Sequence, residues 1–547
     1  MKGSAAIAAI LKREGVEFIT CYPSNPLIEA CAVEGIRPLL ARHERVAVNI
    51  ADGYSRASFG RRIGVTCMQY GPGVENAFAG VAQAYTDNVP LLVLPGAYER
   101  HRHGVAPNFM ASRPYHFVAK WAECINSAGR IPQMLRYAFT LLRSGRPGPV
   151  VLEVPVDVAN EEAPGEAVAS YTPVKGWRPA ADPQDVKSAL RAVLAARSPV
   201  MMVGQGVLYG EAWEEVRELA ERLEVPVLTT LNGKSAFPED HPLSLGCGGR
   251  SVPGPVAHFL QKADLVLGVG TSFTRSGYIV PIPPGKTMVQ ITINEDDVNK
   301  DYPIDLAVVG DVKDALRQML GEVDRLLPGG RRGDGKVKAE VAAVKQEYLK
   351  AWLPRLTSDD VPINPFRVIW DLMHTVDRRR TIVTHDAGYP RDQMTAFYEA
   401  VIPGGYIGWG KSTQLGTGLG LAMGAKLAHP DKVVVNVMGD AAFGMVGMDI
   451  ETAVRERIPI LTIVMDNQGM SGYERALPTA LTRFQTTNLS GDYAKVAEGL
   501  GAWAERVERP HDLVPALRRA IAVTEAGRPA FLHVLTRKDP VLPQGMG

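Results

Sequence analysis

The sequence predicts an α/β protein built from three doubly wound parallel-sheet domains, and three observations carry that prediction. The chain has 547 residues, too many for one hydrophobic core and enough for about three domains. Two stretches read as linkers. One is "ANEEAPGEAVASYTPVKGWRPAADPQ" (159–184), rich in Pro, Ala and Glu; the other is "PGGRRGDGK" (328–336), a cluster of glycine and charge. In the pieces they leave, expected at 1–165, 185–327 and 358–547, short apolar runs alternate with helical patterns, the mark of parallel βαβ units.

Taken in order, the first piece opens on "MKGSAAIAAILKREG", whose apolar stretch is interrupted by Lys12 and Arg13 and is followed by no small-residue cleavage site. It reads as a first helix rather than a signal peptide. Strands are expected at "RPLLAR", "IGVTCMQY", "PLLVLPG" and "PVVLEVPV". The second piece offers "PVMMVGQG", "VPVLTT", "DLVLGVG" and "TMVQITI"; the third offers "RTIVTHD", "KVVVNVMGD", "PILTIVMDN" and "AFLHVLT". Hydrophobic content of 46% with 22% charged residues describes an ordinary globular protein. A net charge of +1, from 60 basic and 59 acidic residues, gives no case for nucleic acid or an anionic membrane surface. Five scattered cysteines (Cys21, Cys31, Cys67, Cys124, Cys247) lack metal-binding spacing and suggest reduced thiols in a cytoplasmic protein. No apolar run approaches the ~20 residues of a membrane span.

Chemistry enters at the ends of two strands. "KVVVNVMGD" (432–440) is an apolar run that stops on Asp440 and is followed by the small residues Ala441, Ala442 and Gly444. After the helical pattern "GMVGMDIETAVRERI", with Met448, Ala453 and Val454 as its inward stripe, "PILTIVMDNQG" supplies a second strand ending at Asn467. One right-handed βαβ unit puts Asp440 and Asn467 on the same carboxyl edge. A carboxylate, an amide oxygen and a neighbouring backbone carbonyl, that of Gly469, are hard ligands suited to Mg²⁺, which completes its shell with phosphate and water. Small residues such as Gly439, Ala441 and Ala442 let backbone amides approach a phosphate. Read singly, Asp440 and Asn467 would also serve as ordinary helix or turn caps.

In the first piece "RPLLARHERVAVNIADGYSRAS" (37–58) runs from a strand through His43 and Glu44 into a helix, where an acidic residue also suits the helix dipole. "IGVTCMQYGPGVENAFAG" (63–80) is strand, Gly-Pro-Gly turn and helix. These pieces, with "GPGVENAFAGVAQAYTDNVPLLVLPG" (71–96), "SGRPGPVVLEVPVDV" (144–158), "GKSAFPEDHPLSLG" (233–246), "STQLGTGLGLAMGAKLA" (412–428) and "GDAAFGMVGMDIETAVRERIPILTIVMDNQG" (439–469), cover most of the chain in order. Together they resemble thiamine-diphosphate enzymes of the acetohydroxyacid (acetolactate) synthase and pyruvate decarboxylase superfamily.

The resemblance implies a pyrimidine-binding N-terminal domain, a Rossmann-like central domain and a C-terminal domain that holds diphosphate and Mg²⁺. It makes Glu44 the catalytic residue, which hydrogen-bonds the pyrimidine ring nitrogen so that the exocyclic nitrogen can take the C2 proton. Gly73 and Asn76 fall beside it. Leu415 falls where the family carries an apolar wedge under the folded cofactor, with backbone at Thr413 and Leu415 bonding the pyrimidine. Gly388 and Tyr389 in "DAGYPRDQ" match the phosphate loop, and Met470 follows the metal asparagine. The metal set is Asp440, Asn467 and Gly469. Ser24, Phe109, Met110 and Tyr473 are expected around the substrate. In the family Glu44 of one subunit faces the last domain of another, which implies a homodimer at minimum and a homotetramer as the usual form.

The implied activity is cleavage and formation of C–C bonds next to a carbonyl through a C2 carbanion, an acetolactate-synthase-like carboligation of 2-oxo acids. The alternative is a 2-oxo acid decarboxylase, or a lyase or decarboxylase resembling 2-hydroxyacyl-CoA lyase and oxalyl-CoA decarboxylase. Two departures keep it open: "NQGMSGYERALPTA" (467–480) is short, with Tyr473 where the synthases carry tryptophan, and Met110 follows Phe109 where they carry glutamine. His101 and His103 read as exposed loop histidines. "TTLNGKS" (229–235) lacks the first glycine of a phosphate loop, and "NEDDVNKDY" (294–302) lacks the calcium-loop glycine and reads as a solvated turn. "VGQG" and "GVGTSF" leave FAD or ADP in the central domain open.

Overall fold

The computed structural model describes residues 1–327, 333–473 and 475–544. Residues 328–332 of the second expected linker lie outside this range. The first sheet contains β1 (Phe18–Cys21), β2 (Arg37–Leu40), β3 (Gly64–Met68), β4 (Leu91–Ala97), β5 (Trp121–Cys124) and β6 (Pro149–Pro155), in the order β2-β1-β3-β4-β6-β5. The second contains β7 (Pro199–Val203), β8 (Val227–Thr230), β9 (Ser244–Gly248), β10 (Leu265–Val269), β11 (Thr287–Thr292) and β12 (Leu306–Val309), ordered β12-β11-β10-β7-β8-β9. The third contains β13 (Thr381–His385), β14 (Tyr406–Ile407), β15 (Val433–Gly439), β16 (Leu461–Asp466), β17 (Trp503–Val507) and β18 (Ala530–Leu535), ordered β14-β13-β15-β16-β18-β17. Every pairing between these strands is parallel. Three doubly wound α/β sheets are therefore present, and the central strands are buried along their length.

The first and third sheets are joined by two helices that touch at their backbones, Glu44–Ala57 and Thr417–Ala428. Gly420 and Gly424, four residues apart, share one helix face. A Cβ at Gly420 would lie 2.5 Å from Asn49 Cβ, and one at Gly424 would lie 2.1 Å from Ile50 O. Gly53 answers from the other side: its Cβ would lie 2.4 Å from Leu421 O. Around this contact Val46, Ala47, Ile50, Leu419, Ala422 and Met423 form a single buried core. Further ties are Arg42 N–H to Asp449 Oδ1 at 2.8 Å and a contact of His429 Nε2 with Ala57 O at 2.9 Å.

The segment after Asp440 departs from the expected single helix. It forms helices Asp440–Val446 and Ile450–Arg455 around a 3₁₀ turn, Gly447–Asp449. The Phe443 ring sits where a Cβ on Gly447 would be, at 2.6 Å, and the turn rotates the inward stripe. Ala453 is buried as expected, but Met448 is 51% exposed. Among the described residues, no helix is long and apolar enough to cross a membrane.

Gly424→Ala is expected to lower stability by about 3 kcal/mol or more, since its methyl would meet backbone that has no rotamer to yield. Thermal unfolding monitored by circular dichroism checks this; a midpoint equal to that of the unaltered protein would place the two helices further apart than described.

Candidate active site

Strands β13, β15 and β16 are neighbours, in a register that pairs His385 with Val437 and Gly439 with Met465. The loops that leave their carboxyl edges line a cavity of about 520 Å³. Gly388 ends the loop after β13 and Tyr389 opens the helix that follows it, and Thr413 and Leu415 come from the loop after β14. Gly439, Asp440, Ala441 and Ala442 follow β15; Asn467, Gly469, Met470 and Tyr473 follow β16. Small residues keep the floor open: a Cβ on Gly388 or Gly439 would meet nothing within 4 Å. Gly388 has φ +88°, a conformation that favours glycine.

The acidic end of the cavity has the chemistry of a cation site. Asp440 is 3% exposed, and its Oδ2 accepts from Gly469 N–H at 2.8 Å. Burial pushes its carboxyl above the usual range, and the neighbouring Asp466 charge adds to the shift. Burial would raise Asp466 as well, but hydrogen bonds from His533 at 2.8 Å and Gln468 N–H at 2.8 Å hold it low. Asn467 Oδ1 is buried and has no protein partner among the described residues, an acceptor left for something outside the protein. No group of three or more His, Cys, Asp or Glu side chains is placed to hold a metal among the described residues. A Mg²⁺ ion held by one carboxylate, one amide oxygen, one carbonyl, phosphate and water needs no such group, so the residues present fit it.

Leu415 is half-buried against the shared core of the two joined helices. The loop that carries it is held by the first domain: Gln414 N–H donates to Gln83 Oε1 at 3.2 Å and Lys411 N–H to Asp87 Oδ1 at 3.4 Å. Asp87 also accepts from Gln83 Nε2 at 2.7 Å, Asn232 Nδ2 at 2.9 Å and Arg56 Nη1 at 3.2 Å. At the other end of the loop Asp386 accepts from the N–H groups of Ala387, Gly416 and Gly418 at 2.8–2.9 Å. Burial pushes Asp386 up to about 6 against those donors. Sequence reasoning passed over Asp386, although "RTIVTHD" ends an apolar run on a carboxylate as "KVVVNVMGD" does. It also passed over Gln83 and Arg56, which lie inside helices, and Asp87, which follows the end of one at Thr86; none carries a local pattern.

Glu44 begins its helix, behind an N-cap in which His43 Nδ1 accepts from Arg45 N–H at 3.1 Å. Its side chain is buried; Oε2 accepts from Asn76 Nδ2 at 3.1 Å, and a Cβ on Gly73 would lie 3.5 Å from Oε1. Glu44, Gly73 and Asn76 therefore form one cluster, and within one chain that cluster does not line the cavity above. Ser24 is exposed, Phe109 packs on the core of the first domain, and Met110 Sδ accepts from Gly104 N–H at 3.1 Å; none of these three lines the cavity.

A second cavity, of about 390 Å³, opens between the first and central domains. Gly204–Gly206 of "VGQG" and Gly270–Ser272 of "GVGTSF" converge on it, with Arg146 and Lys411 from the other domains. Burial pushes the Lys411 amine down to about 8. Asp297, expected in a solvated turn, is instead buried beside this cavity and pairs with Arg146 at 2.9 Å, because the first domain packs over it. Lys234 of "TTLNGKS" is 1% exposed and paired with Glu239 at 2.6 Å, a structural ion pair. His101 is exposed, whereas His103 is half-buried, its Nε2 at 3.0 Å from Tyr98 O. All five cysteines are free thiols.

Comparison with known proteins gives three family matches. Residues 1–116, 186–319 and 386–534 match the models described as the thiamine pyrophosphate enzyme N-terminal TPP binding domain, central domain and C-terminal TPP binding domain. The "Probable acetolactate synthase large subunit" of Methanococcus aeolicus is 30% identical over 96% of this chain and 91% of its own length. The acetolactate synthase isozyme 3 large subunit of Escherichia coli K12 is 28% identical over 98% of this chain and 94% of its own. The glyoxylate carboligase of Escherichia coli O157:H7 is 28% identical over 100% of this chain and 95% of its own.

Proposed function

This chain belongs to the thiamine pyrophosphate enzyme family, and on that premise we propose that it is a Mg²⁺-dependent carboligase that joins 2-oxo acids as acetolactate synthases do. The observation that carries the reading is the juxtaposition of buried Asp440, the unpartnered Asn467 Oδ1 and the open Gly388 and Gly439 in one cavity. Asp440, Asn467 and the Gly469 carbonyl would hold the metal, and Gly388, Tyr389, Ala441, Ala442 and Met470 would line the diphosphate. Bound there, thiamine diphosphate supplies a carbon nucleophile that cleaves and forms C–C bonds next to a carbonyl. Leu415 keeps the ligand bent above the apolar core, Thr413 offers backbone groups to its pyrimidine, and Glu44 holds or gives up a proton at the pyrimidine ring nitrogen. Tyr473 borders the substrate space. Since Glu44 does not line the cavity of its own chain, a second copy is needed to supply it, and a homodimer, or a homotetramer built from two, follows. Exposed Met445 and Met448, beside Asp440 in the chain, give that contact an apolar face.

The central cavity carries a second reading. Two glycine loops that meet beside Arg146 and Lys411 suit a flavin or adenine nucleotide, whose phosphates need close backbone approach and positive charge. A yellow colour in the purified protein would identify the flavin.

Product analysis tests the main reading. Incubation with pyruvate, glyoxylate or aromatic 2-oxo acids should give C–C-joined products; turnover of 2-hydroxyacyl thioesters with none of the free acids consumed would replace it by an acyl-CoA lyase. Asp440→Ala removes the one charged metal ligand and should weaken thiamine diphosphate binding in excess Mg²⁺ by ~100-fold or more. Calorimetric titration measures this, and an unchanged affinity would put the metal elsewhere. Glu44→Gln should still bind the cofactor, because the diphosphate anchor lies in another domain. Its C2 hydrogen–deuterium exchange should slow by ~10²–10⁴-fold, the usual range for a lost proton-transfer group. Exchange at the ordinary rate would reduce Glu44 to a residue that starts a helix. Mixing the two inactive variants should restore activity, because a mixed dimer regains one intact site; no recovery in proven mixed dimers would mean that each chain completes its own site.

A further inference from the structure

Asp466 ends β16, between Met465 and Asn467, which line the cofactor cavity; Asp466 stands behind them and is 2% exposed. Both of its oxygens are turned to donors inside the protein. Oδ1 accepts from Gln468 N–H at 2.8 Å, and Oδ2 accepts from His533 Nε2 at 2.8 Å. His533, on the neighbouring strand β18, is fully buried, and its ring meets that of Tyr493 at 5.2 Å. Its other nitrogen, Nδ1, has no hydrogen-bond partner among the described residues and lies 3.9 Å from Asp492 Oδ1.

The fold alone would favour an amide in place of this carboxyl. An asparagine would accept from Gln468 through its oxygen and donate to His533 Nε2 through its nitrogen. The imidazole proton would then sit on Nδ1, where Asp492 is close. The carboxylate instead puts a second buried negative charge beside Asp440, because the register that pairs Gly439 with Met465 sets the two acids next to each other. Nearby cations do not neutralise it. Arg537 is taken by Asp360 at 2.7 Å and Asp539 at 3.2 Å. Lys538 reaches Gly469 from an exposed position, where water weakens its field. A charge that opposes folding and lines no cavity is explained by what it does at a distance.

We propose that Asp466, fixed in place by His533, acts through space on the divalent cation: it raises the affinity for the metal and disfavours a diphosphate that arrives without one. This rests on the placement of metal and thiamine diphosphate in this cavity. In an interior of low dielectric, a carboxylate behind the ligands attracts a doubly charged ion and repels the phosphate oxygens beyond it. His533 is the positioning residue. Its N–H keeps the carboxylate turned from the metal, which leaves to phosphate and water the oxygen positions that a second direct carboxylate would occupy.

The test uses the full chain with one thiamine diphosphate per site and Mn²⁺, which takes the same octahedral oxygen sites as Mg²⁺ and is counted by electron paramagnetic resonance. Asp466→Asn should weaken Mn²⁺ binding by about 10- to 100-fold, the usual effect of losing a group behind metal ligands. At saturating Mn²⁺ the same variant should bind thiamine diphosphate as tightly as the unaltered protein, or more tightly, in a calorimetric titration. If Asp466→Asn does not fold, Asp466→Ser removes the same charge and should weaken Mn²⁺ in the same range. His533→Leu should weaken Mn²⁺ as well, and His533→Gln, whose amide N–H replaces that of Nε2, should restore most of the affinity; equal losses in the two would overturn the role given to His533. An unaltered Mn²⁺ affinity in a folded Asp466 variant would overturn the proposal. So would thiamine diphosphate binding that weakens just as much at saturating metal, since Asp466 would then be a structural strut. Asp440→Ala separates this inference from the reading beneath it. If that variant also binds Mn²⁺ normally, the metal lies elsewhere and both fall; if it alone loses Mn²⁺, only the action of Asp466 falls.

Discussion

Everything in the proposed site hangs on two helices that meet at backbone distance. The contacts run from Arg45 beside Gly416, through Asn49 beside Gly420 and Ile50 beside Gly424, to Ala57 against His429. The helices are therefore parallel and begin at the same end. One begins with Glu44; the other begins just after Leu415. Glycine makes the approach possible, and the shared core of Val46, Ile50, Leu419 and Met423 stabilises it by burial. Within a chain, this fixes the start of the first helix, at Arg45, beside Gly416 at the start of the second. In the proposed dimer the same rigid unit presents Glu44 to the other copy, so one contact sets the geometry of both half-sites.

The loop between β14 and the second helix is fixed by polar groups instead. Arg56, buried, binds Asp52 at 2.8 and 2.9 Å and Asp87 at 3.2 Å, and Asp87 reaches Asn232 of the central domain and Lys411 N–H of the third. Burying these charges is a net stabilisation only where every oxygen is used. Asp87 meets that condition with four donors, one or more from each domain. An apolar substitute would pack as well but would leave the loop free to slide. The polar junction gives position, where the glycine contact gives proximity. Gly410 and Lys411 on one side of the loop border the central cavity, and Thr413 and Leu415 on the other border the cofactor cavity, so the two cavities share one wall.

What could be read from the sequence followed from burial. All twelve apolar runs named as strands are strands; eleven are interior strands, which must be apolar when both faces are covered, and the twelfth, β2, is a half-exposed edge. Of the six strands without a readable run, β5, β9, β12, β14 and β17 are sheet edges; edges are short or half-exposed, as β12 and β17 show. The sixth, β1, is buried but only four residues long. The residues expected at the metal and phosphates assemble in one cavity because each follows a recognisable strand. Asp87 and Gln83 were illegible for the opposite reason: each takes its meaning from a partner far away in the chain. The inward placement of Met448 failed because a pattern of apolar spacing does not reveal that a 3₁₀ turn interrupts the helix.

The charges around the cofactor cavity complete the argument. At the edge of β15 and β16 two carboxylates, Asp440 and Asp466, lie close together with an unpartnered amide oxygen beside them, a place that gains from a cation. On the β13 side, two guanidinium groups share one carboxylate, a place that gains from an anion. The His533 hydrogen bond holds Asp466 charged, so the acidic end keeps its sign through the neutral range. An interior of low dielectric makes such a separation strong, and it gives the cavity a direction. On the proposed reading, a ligand with a metal-bound diphosphate would enter one way round, with its metal at the acidic edge.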